Sequence, residues 1–115
     1  MSESFLVCFR PASQPRDFDF SGIDSILKQK FSNDSTQMLE PGAWLLKSND
    51  IRWARNILER LSNELRQLTS QAEGAMMVRS IRDPRDFAVY PHKANEYTEF
   101  CNLQAMVKKH RLHAD

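Results

Sequence analysis

A chain of 115 residues, 41% of them hydrophobic and 27% charged, has the size and composition of one globular domain. Its 16 lysines and arginines against 15 acidic residues leave a formal charge of +1, so no overall field draws it towards nucleic acid or an anionic membrane. No apolar run approaches the roughly 18 residues that a membrane-crossing helix needs. We therefore expect a single domain over residues 1–115 and no membrane partner.

The first half of the chain predicts a strand, a helix and a hairpin. β-Forming residues at 5–9 predict the first strand. Ser21 resembles an N-cap, and apolar residues at helical spacing predict an amphipathic helix from there to Phe31. Residues 36–40 and 43–47 lie on either side of a Pro-Gly turn, which predicts two strands joined as a hairpin.

The second half predicts a long helix, a further strand and a helical tail. Asn49 or Asp50 after the hairpin caps a helix whose apolar residues share one face as far as Leu68. Residues 75–81 have the composition of a strand, and 87–90 form a short extended piece. Apolar residues at helical spacing predict a C-terminal helix over about residues 94–112.

This order of elements predicts the fold class. Strand, helix, two strands, helix and strand form the ferredoxin-like βαββαβ pattern, an α+β fold whose antiparallel sheet carries both helices on one face. The core then covers about residues 4–90, and the C-terminal helix is an appendage. Because both sides of the strands are mainly apolar, the other sheet face also needs a cover. We favour the C-terminal helix or a second copy of the chain over a ligand such as a stacked nucleobase.

Aromatic side chains on the strands are the candidates for an interface. Phe5 and Phe9 share one side of the first strand, and Trp44 lies on the third. If a second chain covers the sheet, these three residues form the contact. Base stacking and core packing are the alternatives for the same rings.

Catalytic and metal-binding patterns do not emerge from the sequence. Neither cysteine has a histidine nearby to act as a base, and no serine lies in a Gly-x-Ser-x-Gly elbow. His110 and His113 have a spacing that can share a metal, but they belong to a cationic run and no third ligand is near them in sequence. We therefore expect no catalytic residue, no metal and no cofactor.

The arginines favour a second kind of partner. Arg52 and Arg55 lie on the exposed side of the long helix, and Arg79, Arg82 and Arg85 surround one strand end. Such groups contact phosphates in nucleic-acid-binding proteins. The acidic residues interleaved with them are equally typical of an ordinary solvated surface.

The cysteines indicate a compartment. Cys8 and Cys101 are far apart and follow no paired spacing, and Cys8 lies in an apolar run, where an unpaired thiol acts as a small core residue. The chain does not start with the charged and then apolar pattern of a signal peptide. We therefore expect a protein of the reducing cytoplasm.

The strand at 5–9, and the sequence Gly-Ala-Trp-Leu-Leu-Lys at 42–47 before a long helix, resemble the small ferredoxin-like dimers of the CRISPR adaptation-subunit type. The resemblance covers about residues 4–90 and implies a dimer with a nucleic-acid surface. That family places an aspartate at the end of strand one for metal-dependent nuclease work. Arg10 stands there in this sequence, so the resemblance does not carry nuclease activity with it.

These observations predict a small non-enzymatic interaction or regulatory protein, acting as a homodimer that binds another macromolecule. The alternative is a ferredoxin-like domain that binds nucleic acid through its arginine patch. A metal-dependent nuclease ranks third, and no small-molecule substrate is indicated.

Overall fold

A computed structural model of the chain gives a mixed α+β fold with five strands and four helices in its described part. The description covers residues 3–10, 19–31, 35–72, 74–83, 85–90 and 103–112. The elements are β1 (Glu3–Arg10), α1 (Ser21–Phe31), β2 (Thr36–Glu40), β3 (Ala43–Ser48), α2 (Ala54–Arg60), α3 (Ser62–Ala72), β4 (Ala75–Ser80), β5 (Phe87–Tyr90) and α4 (Leu103–His110). Among them, no helix is both long and apolar enough to cross a membrane.

The strands form one sheet in the order β2-β3-β1-β4-β5, and every neighbouring pair is antiparallel. The central strand is β1, where Val7 lies opposite Trp44 of β3 on one side and Val78 of β4 on the other. The short piece at 87–90 extends the sheet beyond β4 as an edge strand. The predicted α+β class and the antiparallel sheet are thereby confirmed.

Three helices cover one side of the sheet. Alternate residues of β1, β3 and β4 face these helices, as the period-two pattern predicts. Burying a large apolar side chain stabilises a fold by about 1.5–3 kcal/mol, so this side holds most of the core energy. Its buried members on the strands and on α1 are Phe5, Val7, Phe9, Trp44, Leu46, Met76, Val78, Ile23 and Leu27. Those on and around α2 and α3 are Ile51, Ala54, Ile57, Leu58, Leu61 and Leu65.

The opposite side of the sheet is covered by the C-terminal helix. Met106 of α4 and Leu112 just after it are each 9% exposed, and they join the strand residues of this side in a second buried cluster. Those strand and strand-end residues are Leu6, Cys8, Ala43, Met77 and Ile81. The face that needed a cover is therefore covered by this chain. The predicted helical residues before Leu103 lie outside the described part.

The aromatic residues predicted as a possible interface are core residues instead. Phe5 and Trp44 are 0% exposed and Phe9 is 3% exposed, all on the side under α1, α2 and α3. The Trp44 ring meets Phe20 edge-on at a centroid distance of 6.2 Å, and its Nε1 donates a hydrogen bond to Asp24 Oδ1 at 3.1 Å. These three rings are not available to a partner, because the chain's own helices enclose them.

The predicted long helix begins later than the sequence suggests, at Ala54 rather than directly after a cap at Asn49 or Asp50. Ser48 Oγ donates to Asp50 Oδ1 at 2.8 Å and accepts a hydrogen bond from the Ile51 amide at 3.1 Å. Asp50, one of the two expected caps, therefore takes part in a turn at the end of β3 instead. The Ala54 amide donates to a carboxylate oxygen of Asp86 at 3.1 Å. A distant aspartate therefore satisfies one of the free amides at this helix start.

The same predicted helix is also divided. Leu61 has φ −94° and ψ 5°, and its amide bonds to the Leu58 carbonyl at 3.0 Å, one residue tighter than an α-helical bond. α3 then starts at Ser62. Leu61 and Leu65 are both buried, so the apolar face continues across the break. The sheet thus carries three helices on this face, whereas two were predicted. Leu68, predicted as the last residue of the apolar face, has a side chain outside the described part.

Cys8 is not the unpaired thiol that the sequence suggests. It is buried in the second cluster and disulfide-bonded. The only other cysteine of the chain, Cys101, lies outside the described residues. The residues around Cys8 in the sequence are apolar. Such surroundings are compatible with a free thiol and with a disulfide, so the sequence did not distinguish the two states.

One ion pair and one histidine contact attach the end of α4 to the sheet. Lys109 Nζ lies 2.6 Å from Glu40 Oε2, and His110 Nε2 lies 3.5 Å from the same oxygen. The Lys109 side chain, through its hydrogen bond, lowers the pKa of Glu40 below its ordinary value. His110 therefore faces a carboxylate of β2, while His113, its proposed metal-sharing partner, lies outside the described residues.

Candidate interaction surface

The arginines predicted as a binding patch lie around one end of the sheet. Antiparallel pairing brings together the end of β3, the end of β4 and the start of β5. The hydrogen bond between Ala54 and Asp86 joins the β3–α2 connection to the β4–β5 loop. The arginines at this end are Arg52, Arg55, Arg79, Arg82 and Arg85.

Three of these arginines are engaged within the chain. Arg82 Nη1 lies 3.0 Å from Glu3 Oε1, and Arg85 Nε lies 3.3 Å from Asp83 Oδ1. The Arg79 guanidinium stacks over the Phe87 ring, with 5.2 Å between its central carbon and the ring centroid. The two ion pairs reduce what Arg82 and Arg85 can offer to a phosphate, whereas the ring contact of Arg79 occupies none of its hydrogen-bond donors.

Arg52 and Arg55 are different. Both are exposed, and neither forms an ion pair with any residue of the described part. The pairing of Arg55 with Glu59 that helical spacing permits does not form, because Glu59 Oε2 accepts a hydrogen bond from Asn56 Nδ2 at 2.8 Å.

Between these two arginines lies Trp53, the most exposed large hydrophobic side chain that the structure describes. It is 54% exposed, although its neighbours Ile51 and Ala54 are buried. Trp53 occupies the N-cap position of α2 with an extended backbone, φ −122° and ψ 140°, and makes no side-chain capping bond. The start of α2 therefore presents an indole to solvent.

Trp53 borders an open depression of about 570 Å³ on the outer side of α2. We call its lining the Trp53 surface: Asp50, Ile51, Arg52, Trp53, Asn56, Glu59 and Arg60. It holds two carboxylates and two guanidinium groups, so its charges balance.

Internal contacts order this surface. Arg60 Nη2 lies 2.6 Å from Asp50 Oδ2, and this hydrogen bond holds the pKa of Asp50 below its ordinary value. The Arg60 guanidinium also lies 5.4 Å from the centroid of the Phe31 ring. Contacts among Asp50, Arg60 and Phe31 therefore order one part of this surface, while Arg52 forms no ion pair in the described part of the chain.

The sequence contains the signal that identifies Trp53, although the prediction did not use it. Position 53 lies off the apolar face of the predicted helix, between two arginines. A tryptophan at such a position is expected to be exposed, and tryptophan is enriched at the energetic centres of protein interfaces.

The described residues include no group of three or more histidine, cysteine, aspartate or glutamate side chains placed to hold a metal ion. Comparison with protein-family models, with curated proteins and with solved structures gave no match. The resemblance to the CRISPR adaptation-subunit dimers therefore stays a prediction.

Proposed function

We propose that this chain is a small non-enzymatic interaction or regulatory protein that binds another protein through the Trp53 surface. One observation carries the proposal: a tryptophan held 54% exposed at a fixed helix start, beside an open depression. Tryptophan and arginine are the residues most enriched at the energetic centres of protein interfaces. An exposed indole costs free energy in water, and a partner that covers it recovers that free energy.

The balance of charge favours a protein partner over nucleic acid. Nucleic-acid surfaces are strongly positive, because phosphate neutralisation supplies most of their affinity. The Trp53 surface carries two guanidinium groups and two carboxylates, so it has no net charge. Mixed charges around an aromatic centre are typical of the polar rim of a protein–protein interface.

Nucleic acid remains the second candidate on one observation. Arg52 and Arg55 flank an exposed indole and form no ion pair in the described part of the chain, and an indole can stack on an unpaired base. In this case Trp53 fluorescence falls on addition of a single-stranded oligonucleotide, and the affinity falls steeply with salt. Arg52→Gln then flattens the slope of log affinity against log salt by about 0.7. Absence of quenching at low salt excludes this candidate.

The homodimer stays a prediction, and the structure removes the main argument for it. Its basis was an uncovered apolar sheet face, and α4 occupies that face. The proposed function needs no second copy, since the Trp53 surface lies on the outside of α2.

We also propose that β1 to β4 with α1, α2 and α3 form a ferredoxin-like unit to which β5 and α4 are added. The supporting observation is the order β4-β1-β3-β2, read from the β5 side, with antiparallel neighbours and one helix-covered face. A cytoplasmic location stays a prediction, and the disulfide at Cys8 weighs against it because disulfides persist mainly in oxidising compartments.

The test is quantitative affinity capture from the native host with three baits: wild type, Trp53→Ala and Phe87→Ala. Phe87 is the matched control, since it is the other exposed large hydrophobic residue of the described part, at 44%. A true partner is lost with Trp53→Ala and retained with Phe87→Ala. With that partner purified, we expect Trp53→Ala to cost about 2 kcal/mol, roughly 30-fold in Kd. Equal capture by all three baits contradicts the proposal.

A further inference from the structure

A second group of polar residues lies on the α4 side of the sheet, at the same end as the Trp53 surface. Leu6, Ala43 and Met77 face α4. Strand alternation therefore places Ser4, Lys47 and Arg79 on that side as well. We call these last three residues the Ser4 corner.

The strand register makes the three residues of the Ser4 corner neighbours. Ser4 of β1 lies directly opposite Lys47 of β3, and Arg79 of β4 lies opposite Leu6. Arg79 is thus diagonal to Ser4. Direct cross-strand neighbours have Cβ atoms about 5 Å apart and diagonal ones about 7 Å, distances that long basic side chains span easily.

The hydroxyl of Ser4 is buried without a partner. The residue is 4% exposed, and its Oγ makes no hydrogen bond within the described part of the chain. Its backbone carbonyl is satisfied by the Ile81 amide at 3.1 Å, so the unmet group is the hydroxyl alone. Native proteins leave few buried polar groups unpaired, and an unpaired one often indicates an ion or water that occupies the site.

Arg79 also has a buried polar atom without a hydrogen-bond partner in the described residues. This atom is its Nε. The Phe87 ring, opposite Arg79 in the register, holds the guanidinium at 5.2 Å and occupies none of its donors. The arginine is therefore positioned by a ring and keeps its hydrogen-bonding capacity.

The positive charge of the corner is not neutralised within the described part of the chain, where neither Lys47 nor Arg79 forms an ion pair. Glu3, the neighbour of Ser4 on β1, alternates to the other side of the sheet and pairs with Arg82. Glu40 pairs with Lys109.

We propose that Ser4, Lys47 and Arg79 bind a phosphate group, either the free ion or a phosphomonoester of a small molecule. A tetrahedral dianion accepts several hydrogen bonds at once, which matches one hydroxyl, one guanidinium and one ammonium with free donors. Arginine contributes a planar fork and lysine a mobile point charge, a common combination at phosphate sites. This site does not depend on the protein-binding role of the Trp53 surface.

The test measures binding to the intact chain with its disulfide. Inorganic phosphate, titrated against chloride at equal ionic strength, produces saturable shifts of the Ser4 and Arg79 amide resonances and raises the thermal midpoint. A nucleoside monophosphate is the second arm of the titration. Equal affinity for both identifies the free ion as the ligand, and tighter binding of the monophosphate identifies a phosphorylated small molecule.

Variants separate a binding site from an unspecific charge effect. Arg79→Gln and Lys47→Gln each weaken phosphate at least tenfold, whereas Arg85→Gln, which changes an exposed arginine of the neighbouring loop, leaves it within twofold. Ser4→Ala is the sharper variant: without phosphate the protein is as stable as wild type or more so, and its phosphate affinity falls several-fold. No saturable binding by wild type overturns the proposal. So does a Ser4→Ala protein that loses stability without phosphate yet binds it normally.

Discussion

The Ala54 amide donates a hydrogen bond to the Asp86 carboxylate at 3.1 Å, across 32 positions of the sequence. This contact begins α2 and attaches it to the β4–β5 loop. Trp53 lies one residue earlier, at the N-cap of α2, next to this contact. The proposed binding surface therefore depends on a residue that has no place in the local helix pattern.

Replacing Asp86 with alanine tests this dependence. Losing an acceptor at a helix start costs about 1–2 kcal/mol, so the free energy of unfolding in urea falls by that amount. Trp53 emission also becomes easier to quench with iodide, because the residue is no longer fixed. Asn63→Ala, which changes an exposed residue of α3 outside the Trp53 surface, serves as control. If the two variants are equally stable, the Asp86 contact does not support α2.

The contrast between the two tryptophans of the chain gives a second prediction. Trp44→Ala removes a side chain that is 0% exposed and is expected to cost about 3–5 kcal/mol, whereas Trp53→Ala stays within about 0.5 kcal/mol of wild type. Chemical denaturation measures both. Trp44→Phe should lie between them, since it keeps most of the volume but loses the bond to Asp24. A harmless Trp44→Ala contradicts the assignment of Trp44 to the core.

Stability at low pH reports the contact between α4 and the sheet. The Lys109 side chain lowers the folded-state pKa of Glu40 below the ordinary 4.5. The stabilisation is therefore complete above 4.5 and is lost as the pH falls through the folded-state pKa. Because Lys109 is largely exposed, the effect is small, about 0.2–1 kcal/mol.

Urea unfolding of wild type and Glu40→Gln at several pH values isolates this effect. The stability difference between the two proteins should be constant near neutral pH and shrink below 4.5. A difference that does not change with pH contradicts the ion pair.

Met106 tests whether α4 is the cover of the second sheet face. Met106→Asp places a charge at a position that is 9% exposed, so α4 should detach and expose the apolar strand residues beneath it. We expect binding of an apolar fluorescent dye and self-association in light scattering. Ala105→Asp, on the exposed side of the same helix, should show neither. Identical behaviour of the two variants contradicts the role given to α4.

Much of this fold follows from local patterns. Alternation along β1, β3 and β4 predicts which side chains share a face. Successive residues of a strand point to opposite sides, so one assigned residue assigns all the others. The helix start at Ala54 is not predictable in the same way. Ser48 competes for Asp50, and Asp86 enters from a distant loop, so two tertiary contacts override a good local cap.

The candidate site was predictable only in part. Arg79, Arg82 and Arg85 were predicted around one strand end from the sequence, but the ion pair of Glu3 with Arg82 spans 79 positions, so no local pattern indicates it. Trp53 was visible as an aromatic on a polar face. The sequence pointed to Trp44 as the interface residue instead. Its strand is apolar on both sides, so the pattern does not show which side packs against the chain's own helices.

The central claim is that Trp53 contacts a protein partner, and photo-crosslinking tests it most directly. With p-benzoylphenylalanine in place of Trp53, irradiation in the native host should yield one dominant protein adduct. Excess wild-type protein should suppress that adduct, and excess Trp53→Ala protein should not. The same crosslinker in place of Phe87 should not yield it. An adduct that forms equally at both positions, or one to nucleic acid, contradicts the account.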